Sequence, residues 1–469
     1  MKSRFPYILV VLLACSSAFA QEGGYYLCSG QSNMELPINR CLDVVAADVA
    51  DYTNPQLHYM KVPIAFNFDW PQKELPKCEW ETLDNPQKGL SWGAVCYFTA
   101  KYLNEATGED IYMLNSSVGG SPIEAWMPAE DLPDYAQKEL LECRDRQWME
   151  KTLYHNAHLY TDWQDAHNAL PENTGAQWED IDMFDMAWAF ENGKPIFGSH
   201  YLKNTFKLSA KQCKGNAILH LGAMRDADST FVNGHYVGNI TYMYPPRNYK
   251  VPAEYLKKGE NVVEIHLYAA ENPAGFVPDK EYSVETVKGT VSLEQGWKHK
   301  AGRRMPRRAP QVFLQYKASG LYNSMIAPLK YGLEGIRGRE SDVRDNKGAG
   351  LRPKGVIWYQ GESNAGRADN YAELLKTMIT AWRAHFQNPD LPFYIIELAA
   401  FEHSELETAE TSGWVRLQDA QRQVAAEMHN VYYVPNRDLG EWNDIHPQDK
   451  KTLGKRTAEV ILEAEKNLK

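Results

Sequence analysis

The sequence lacks an excess of positive charge. It has 50 Lys and Arg residues against 61 Asp and Glu residues, which gives a formal net charge of −11. A nucleic-acid-binding surface needs a basic face to neutralise phosphates, so this balance argues against nucleic acid as a partner. The composition is otherwise that of an ordinary soluble protein, with 43% hydrophobic and 24% charged residues.

Long apolar runs are also missing. After residue 20 no segment is long and apolar enough to span a bilayer, so we predict no transmembrane segment. The first 20 residues, "MKSRFPYILVVLLACSSAFA", place Lys2 and Arg4 before a short apolar run that ends in small residues. This is the pattern of a signal peptide and predicts export to the periplasm or the exterior. "LLAC" also resembles a lipoprotein box, which leaves open a lipid anchor on Cys15.

No cysteines are closely paired in the sequence. The chain has seven Cys residues, and none shows the spacing of a zinc site. In an oxidising compartment some of these cysteines could form disulfides, but their spacing in the sequence does not specify which ones pair. His155 and His158 lie three residues apart in "LYHNAHLY", but no nearby Cys or carboxylate pattern completes a metal site. We therefore predict no metal and no cofactor.

The chain contains two kinds of segment, one with alternating helix and strand patterns and one with short strands only. Its 469 residues exceed one compact core, which favours two domains or one domain with a large insertion. From about 24 to 170, short apolar runs alternate with helical periodicity, as in the predicted helix "SWGAVCYFTAKYLNEAT" before the strand "DIYMLNSS". The same alternation returns after 311, with the strand "GVIWYQ" before the helix "YAELLKTMITAWRAHF". This order is typical of an α/β sheet.

The segment between these parts is rich in short β-strands. Turns at Asn233-Gly234 and Lys258-Gly259 separate them, and the Asn-Gly pair is a strong hairpin signal. Short strands at such spacing favour a β-sandwich. We therefore predict an α/β domain in two parts, residues 21–174 and 301–469, interrupted by an inserted β-sandwich, residues 175–300.

Polar residues follow the predicted α/β strands at their carboxyl ends, where ligands of open sheets bind. The first junction, "LCSGQSN", presents Ser32. The second, "NSSVGGS", contains Gly120, and the third, "WYQGESN", contains Gln360. A segment near the end, "NDIHPQD", supplies His446.

These four residues fit the requirements of a serine hydrolase. A serine nucleophile needs a base within hydrogen-bond reach and donors aimed at the developing oxyanion. Ser32 supplies the hydroxyl and His446 the imidazole, while the N–H groups of Ser32 and Gly120 and the Gln360 amide are candidate donors. A residue without Cβ at position 120 lets the backbone approach a ligand closely. Each residue alone is an ordinary turn, capping or packing residue, but together they favour catalysis.

Several longer blocks carry a family resemblance. The segments "CSGQSNMELP", "SSVGGSPIEAWMP", "LYNSMIAPL", "GVIWYQGESNA" and "DIHPQDKKTLGKR" resemble the sialate O-acetylesterase family, a branch of the SGNH (GDSL-like) hydrolases. "RDADSTFVNGHYVG" and "RNYKVPAEYLKKGEN" resemble the sugar-binding-like β-sandwich of that family. The resemblance implies a flavodoxin-like three-layer α/β/α domain interrupted by a galactose-binding-like β-sandwich. It also implies hydrolysis of acetyl esters on sugars, typically O-acetylated sialic acid.

The resemblance assigns roles position by position. It implies that Ser32 is the nucleophile and His446 the base, and that Gly120 and Gln360 complete the oxyanion hole with Ser32. The implied partner is an O-acetylated sugar or glycan, and we expect Asn364 and Glu362 to contact it.

The third member of the triad departs from the family pattern. Many SGNH enzymes have an acid three residues before the histidine, where this chain has Asn443. The nearest carboxylate is Asp444, two residues before His446, which could orient the imidazole. A Ser–His dyad is the alternative, and Asp438 and Glu362 are further candidates for the acid. Glu362 is also the second predicted substrate contact.

Three other functions stay open at this stage. Family members that act on acetyl groups of xylan or pectin share the same blocks. The blocks therefore indicate the acetyl ester as the bond cleaved but do not specify the sugar that carries it. A non-catalytic glycan-binding protein would use the β-sandwich and keep a degenerate α/β part. A lipid esterase or thioesterase on the same fold would prefer long acyl chains. The sequence does not determine the oligomeric state.

Overall fold

The structure, a computed structural model, describes residues 24–171, 174–243, 245–331, 352–402 and 404–467. The predicted signal peptide, residues 1–20 with Cys15, lies outside the described residues. No described helix combines the length and the hydropathy needed to cross a membrane.

Helices and strands alternate through the first and last parts of the described chain. The α-helices are α1 (Ser32–Glu35), α2 (Leu42–Val49), α3 (Pro86–Gly89), α4 (Ala94–Thr107), α5 (Asp134–Arg144), α6 (Arg146–Ala169), α7 (Tyr371–His385), α8 (Gly413–Glu427) and α9 (Lys450–Asn467). The strands of these parts and of the middle are β1 (Gly24–Gly30), β2 (Asn54–Lys61), β3 (Glu81–Leu83), β4 (Ile111–Ser117), β5 (Glu179–Asp180), β6 (Phe190–Glu191), β7 (Lys194–Pro195), β8 (Phe197–Leu208), β9 (Ala217–Leu221), β10 (Met224–Arg225), β11 (Ala227–Val232), β12 (His235–Ile240), β13 (Asn248–Val251), β14 (Gly259–Ala269), β15 (Gly275–Phe276), β16 (Tyr282–Thr286), β17 (Gly289–Ser292), β18 (Lys298–Met305), β19 (Arg352–Tyr359), β20 (Phe393–Ile396) and β21 (Val431–Val434).

A seven-stranded sheet has the order β21-β20-β19-β1-β4-β2-β3. Its pairs are parallel except for the edge pair β2–β3. Strand β1 lies at the centre, and all seven of its residues are buried. A continuous apolar run is expected of a parallel strand that is covered on both faces. The mixed α/β class predicted from the sequence is therefore confirmed.

Helices cover this sheet. Helix α4 packs against α9, and α7 packs against α8. Helix α4 ends at Thr107 and is capped by Gly108, which has the left-handed conformation with φ +71°. The sequence-predicted helices over 91–107 and 371–386 are confirmed within a few residues at each end.

The described residues of the middle of the chain, between 179 and 305, form antiparallel sheets. The two larger sheets have the orders β12-β11-β14-β8-β18-β5 and β13-β9-β16-β17, and two small sheets pair β10 with β15 and β6 with β7. We call this segment the antiparallel region. It has a hydrophobic cluster of its own, which contains Leu202, Val263, Tyr282 and Trp297 and is separate from the cluster around the seven-stranded sheet.

The predicted hairpin in the antiparallel region is confirmed. Strands β11 and β12 pair antiparallel, with Val232 opposite His235. The two residues between them, Asn233 and Gly234, have φ of +51° and +82°. Two positive φ angles give the turn a twist that matches its strands, which is why Asn-Gly predicts it. The division of the chain into domains at 174 and 301 stays a prediction.

The sheet register decides where the polar junctions lie. Gly30 at the end of β1 is paired with Tyr359 at the end of β19 and with Ser117 at the end of β4. The segments that follow these three strands therefore leave the sheet at one edge. That edge carries three of the four predicted site residues.

Candidate active site

Ser32 begins the short helix α1 directly after β1. The turn is fixed by Gln31, whose N–H donates to the carbonyl oxygen of Tyr359 at 3.0 Å. The first N–H groups of a helix have no acceptor within the helix. Within the described residues, the N–H of Ser32 donates to no protein acceptor. This N–H is therefore available to a ligand beside the hydroxyl.

The Ser32 hydroxyl and the His446 ring are hydrogen-bond partners. Oγ of Ser32 lies 2.9 Å from Nε2 of His446, although 414 positions separate the residues in the chain. His446 lies in the loop between β21 and α9. A second contact joins this loop to α1, because Nδ2 of Asn33 donates to the carbonyl oxygen of Ile445 at 2.9 Å. The Ser–His contact is therefore supported by a neighbouring backbone anchor.

The surroundings keep the His446 imidazole neutral. Burial, together with the positive charges of Lys450 and Arg40, lowers the pKa of His446 to about 3. The side chain is only 13% exposed. A neutral ring with Nε2 facing a hydroxyl can accept its proton, which is the task of a general base.

Asp444 lies on the other side of the ring. Its Oδ1 accepts the backbone N–H of His446 at 2.8 Å and lies 3.9 Å from Nδ1 of the ring. The second distance is too long for a hydrogen bond. Burial raises the pKa of Asp444, and the nearby Lys280 ammonium opposes that shift. The carboxylate can therefore act on the imidazole through its charge or through a bridging water.

The two other candidates for the acid are held by different partners. Both carboxylate oxygens of Asp438 accept from Arg456, at 2.6 Å each. Glu362 Oε1 accepts from Nδ2 of Asn33 at 2.6 Å, and Lys450 donates to Oδ1 of the same Asn33 at 2.7 Å. Burial raises the pKa of Glu362 to about 6. The Glu362–Asn33–Lys450 chain therefore supports the residue next to Ser32, while the predicted substrate contact by Glu362 stays a prediction.

The loop after β4 brings Gly120 beside the serine. Gly119 N–H donates to Oε2 of Glu35 at 2.7 Å, and Lys61 pairs with the other oxygen of Glu35 at 3.1 Å. A Cβ on Gly119 would lie 3.4 Å from Cβ of Ser32, so the loop and α1 are in contact. Among the described residues, the Gly120 N–H also donates to no protein acceptor.

Gln360 does not point its amide into open space. It is fully buried, and its Nε2 lies 2.7 Å from Oδ1 of Asn364 and 3.2 Å from both Oε1 of Gln31 and the carbonyl oxygen of Ser121. Its Oε1 accepts from the Tyr371 hydroxyl at 2.8 Å. An amide nitrogen has two hydrogens, which these acceptors occupy. In this geometry the Gln360 amide is used within the protein, and its expected direct donation to an oxyanion stays a prediction.

Asn364 is likewise an internal connector. Its Oδ1 also accepts the N–H of Ile123 at 3.0 Å, and its Nδ2 donates to Oε2 of Glu124 at 3.0 Å. The residue is 1% exposed. Its polar atoms have partners within the protein, and the expected substrate contact by Asn364 stays a prediction. The sequence analysis missed Gln31, whose Oε1 accepts the N–H groups of Gly361 and Ser363.

A cleft of about 530 Å³ opens near Lys61, the partner of Glu35. Its lining mixes aromatic and charged side chains: Tyr59, Lys61, Pro63, Lys77, Cys78, Glu79, Trp80, Glu81 and Ser91. Ser32, Gly120 and His446 are not among the residues that line this cleft.

Metal-binding groups and disulfides are absent from the part of the chain that the structure describes. There, no three His, Cys, Asp or Glu residues group together in a way that could hold a metal. His155 instead contacts the carbonyl oxygen of Pro310, and His158 that of Tyr154. The described cysteines are free thiols, and Cys28 is a fully buried side chain of β1.

The family comparison and the curated relatives agree with one another. Residues 288–463 match the family described as "Carbohydrate esterase, sialic acid-specific acetylesterase". Sialate O-acetylesterase from Rattus norvegicus is 28% identical over 168 residues, covering 32% of this chain and 27% of that protein. The enzyme from Homo sapiens is 27% identical over 169 residues, covering 32% and 29%. This chain thus spans little more than a quarter of the length of these curated relatives.

Among solved structures, a carbohydrate acetylesterase from Xanthomonas citri matches 95% of this chain and 57% of its own. The identity is 21% and the TM-score is 0.49. The resemblance to the sialate O-acetylesterase family, which the sequence blocks predicted, is confirmed by the family match and the curated relatives.

Proposed function

We propose that this protein is a serine carbohydrate esterase that removes O-acetyl groups from sugars. The observation that carries this proposal is the 2.9 Å contact between Ser32 Oγ and His446 Nε2 at the carboxyl edge of a parallel sheet. The match of residues 288–463 to a carbohydrate esterase family supports the acetyl ester as the bond cleaved. O-acetylated sialic acid is our proposed substrate, supported by the similarity to sialate O-acetylesterases over a third of the chain.

The proposed architecture is an SGNH hydrolase domain interrupted by a β-sandwich. The central position of β1 between β4 and β19 and the helix pairs α4–α9 and α7–α8 support a three-layer α/β/α arrangement. The two antiparallel sheets and their own hydrophobic cluster support an inserted unit. Such an insertion leaves the sheet edge intact, because the chain leaves and re-enters the α/β part between strands.

The first chemical step forms an acetyl-enzyme. His446 Nε2 takes the proton of Ser32 Oγ as the oxygen attacks the acetyl carbonyl carbon. The developing oxyanion accepts hydrogen bonds from the N–H groups of Ser32 and Gly120. The imidazolium then donates its proton to the sugar oxygen, and the sugar leaves as an alcohol.

The second step hydrolyses the acetyl-enzyme. A water gives its proton to His446 and attacks the acetyl carbon, and Ser32 leaves with that proton while acetate is released. The negative charge of Asp444 stabilises the imidazolium that forms in both steps. Gln360, in this proposal, holds the Gln31 and Ser121 segments in place instead of touching the oxyanion.

Ser32→Ala tests the nucleophile. We expect acetate release from 4-nitrophenyl acetate to fall by at least about 10⁴-fold, because the acetyl-enzyme can no longer form. The thermal unfolding midpoint should change little. Ser292→Ala, an exposed serine of the antiparallel region, is the matched control and should keep wild-type turnover. An S32A variant with most of its activity would refute the mechanism.

A substrate panel tests the sugar. Acetate release from O-acetylated sialic acids should exceed release from acetylated xylan and pectin. The reverse order would assign the protein to plant polysaccharides, and preference for an octanoyl over an acetyl ester would indicate a lipid esterase. Glycan binding without acetate release from any of these substrates would favour the non-catalytic alternative.

A further inference from the structure

The loop that carries His446 is held by the antiparallel region. Between β15 and β16, the carbonyl oxygens of Pro278 and Asp279 accept from Nδ2 of Asn443, at 2.9 Å and 3.1 Å. Asn443 lies three residues before His446. Two backbone acceptors on one side-chain amide fix the position of the loop relative to the antiparallel region.

Lys280, which follows Asp279 in the segment between β15 and β16, adds a positive charge beside the loop that carries His446. Nζ of Lys280 lies 3.1 Å from Oε2 of Glu441 and 3.5 Å from Oδ2 of Asp444. The Lys280 side chain is 16% exposed and that of Asp444 is 11% exposed. Ion pairs with so little exposure are screened less by salt than surface pairs. The ammonium therefore acts on the Asp444 carboxylate with little screening.

We infer that Lys280 is a positioning residue of the proposed esterase site, which acts on His446 through Asp444. The two oxygens of Asp444 face different partners, with Oδ2 directed to Lys280 and Oδ1 to the backbone N–H and ring of His446. Holding one oxygen fixes the plane of the carboxylate, and so fixes the oxygen that faces the ring. The inference rests on the proposed function, since it assigns Asp444 the task of stabilising the imidazolium.

Lys280 also opposes the effect of burial on Asp444. Burial raises the pKa of Asp444, the neighbouring Glu441 raises it further, and the Lys280 charge lowers it. The other ionisable groups around Asp444 and His446 are Arg40, Cys41, Glu362 and Lys450. Without Lys280, Asp444 would be left beside a like charge and would take up a proton at higher pH.

The test measures kcat and KM for 4-nitrophenyl acetate from pH 5 to 9 in Lys280→Met, Lys280→Arg and Lys298→Met. Lys298 is the matched control because it also belongs to the antiparallel region and forms an ion pair, with Asp180 at 2.6 Å, but it is 43% exposed and touches no site residue described above. Lys280→Arg keeps the charge and should rescue what Lys280→Met loses.

We expect K280M to lower kcat about tenfold near neutral pH and to move the acid limb of the pH–rate profile up by about one unit. KM should stay within about twofold, because Lys280 is not expected to touch the substrate. K280R should recover most of the rate, and K298M should match the wild type. A K280M profile equal to the wild type, or a change confined to KM, would overturn the inference.

A second measurement separates positioning from folding. In a double-mutant cycle, K280M should add almost nothing to Asp444→Asn, since both remove the same effect on His446. Additive losses would overturn the inference. If K280M does not fold by circular dichroism, Lys280→Gln replaces it in the cycle. Failure of the inference about Lys280 can be distinguished from failure of the proposed function. If only the inference fails, S32A still abolishes turnover while K280M leaves turnover unchanged.

Discussion

At the scale of single residues, Gln360 ties separate segments together through one buried amide. Its nitrogen reaches the turn after β1 at Gln31, the turn after β4 at Ser121 and the short helix after β19 at Asn364. A buried polar group that loses its partner costs more than the bond itself contributed. The residue therefore stabilises the geometry of the whole sheet edge.

This role predicts the behaviour of Gln360→Ala. The substitution removes one hydrogen bond from each of the buried side chains of Asn364, Gln31 and Tyr371 and leaves a space in the interior, so we expect the free energy of unfolding to fall by about 2 kcal/mol. Turnover should fall as well, because the Ser121 segment adjoins Gly120. Denaturant unfolding and acetate release measured on the same preparation check both.

Direct donation to the oxyanion gives a different result for that variant. It would lower kcat by about 10²-fold or more and leave the free energy of unfolding unchanged. Normal stability with a large loss of rate would therefore contradict the supporting role.

At this scale the sequence predicts which residues belong near the site, but it does not predict the direction in which their side-chain atoms point. Ser32, Gly120, Gln360 and His446 were all named because each follows a predicted strand or precedes a helix. Whether an amide faces a substrate or an interior depends on the neighbours that other parts of the chain supply. Those neighbours placed Gln360 and Asn364 inside the protein.

At the scale of elements, the loop after β4 depends on Gly120. Its φ is +76°, in the region that side chains with a Cβ rarely adopt. A Cβ there would also overlap the hydroxyl of Tyr316. The loop therefore needs glycine both for its conformation and for the space beside it.

We expect Gly120→Ala to lower kcat by at least about 10²-fold, because the loop must move and its N–H loses its direction toward the oxyanion. The strained conformation should also lower the free energy of unfolding by about 1–3 kcal/mol. Gly366→Ala is the control, since a Cβ there meets nothing within 4 Å. Equal rates in the two variants would contradict a role of this loop in the site.

Elements were the part of the fold that the sequence predicted best. The helices α4 and α7 and the β11–β12 hairpin appear where periodicity and the Asn-Gly pair predicted them. These signals are local, since apolar spacing and turn residues act within a few positions along the chain. Sheet order involves pairings between distant segments, which such patterns do not specify.

At the scale of the molecule, buried neutral histidines occur both in the antiparallel region and in the α/β part. In the antiparallel region, Nδ1 of His200 lies 3.0 Å from Nε2 of His299. Burial lowers the pKa of His200 to about 4 and, with repulsion from His200, that of His299 to about 3. His446 has the same shift in the α/β part.

These shifts predict loss of stability in acid. An unfolded histidine titrates near pH 6.5, so between that pH and about 4 the unfolded chain binds protons that the folded chain does not. Stability should be fully present above pH 6.5 and fall as the pH drops, by about 1.4 kcal/mol per pH unit for each such histidine. Denaturant unfolding at pH 7, 6 and 5 measures the slope.

His299→Gln separates this effect from other titrations. It should reduce the slope by about one histidine's share, because glutamine stays neutral. Glu362 acts in the opposite direction, since its raised pKa of about 6 makes its protonation favour the folded state. An unchanged slope in H299Q would contradict the assignment to the buried pair.

The types of the elements, the glycine-bearing turns after the strands and the residues able to do chemistry could be predicted from the amino-acid sequence, because each of these follows from local sterics and spacing. Which of those residues meet depends on the folded arrangement of distant segments. Parallel pairing of β1, β4 and β19 brings their carboxyl ends to one edge, and the packing of α9 and the antiparallel region sets the loop that carries His446 against Ser32. Contacts across hundreds of residues depend on how whole elements bury their apolar faces, which no short stretch of sequence encodes.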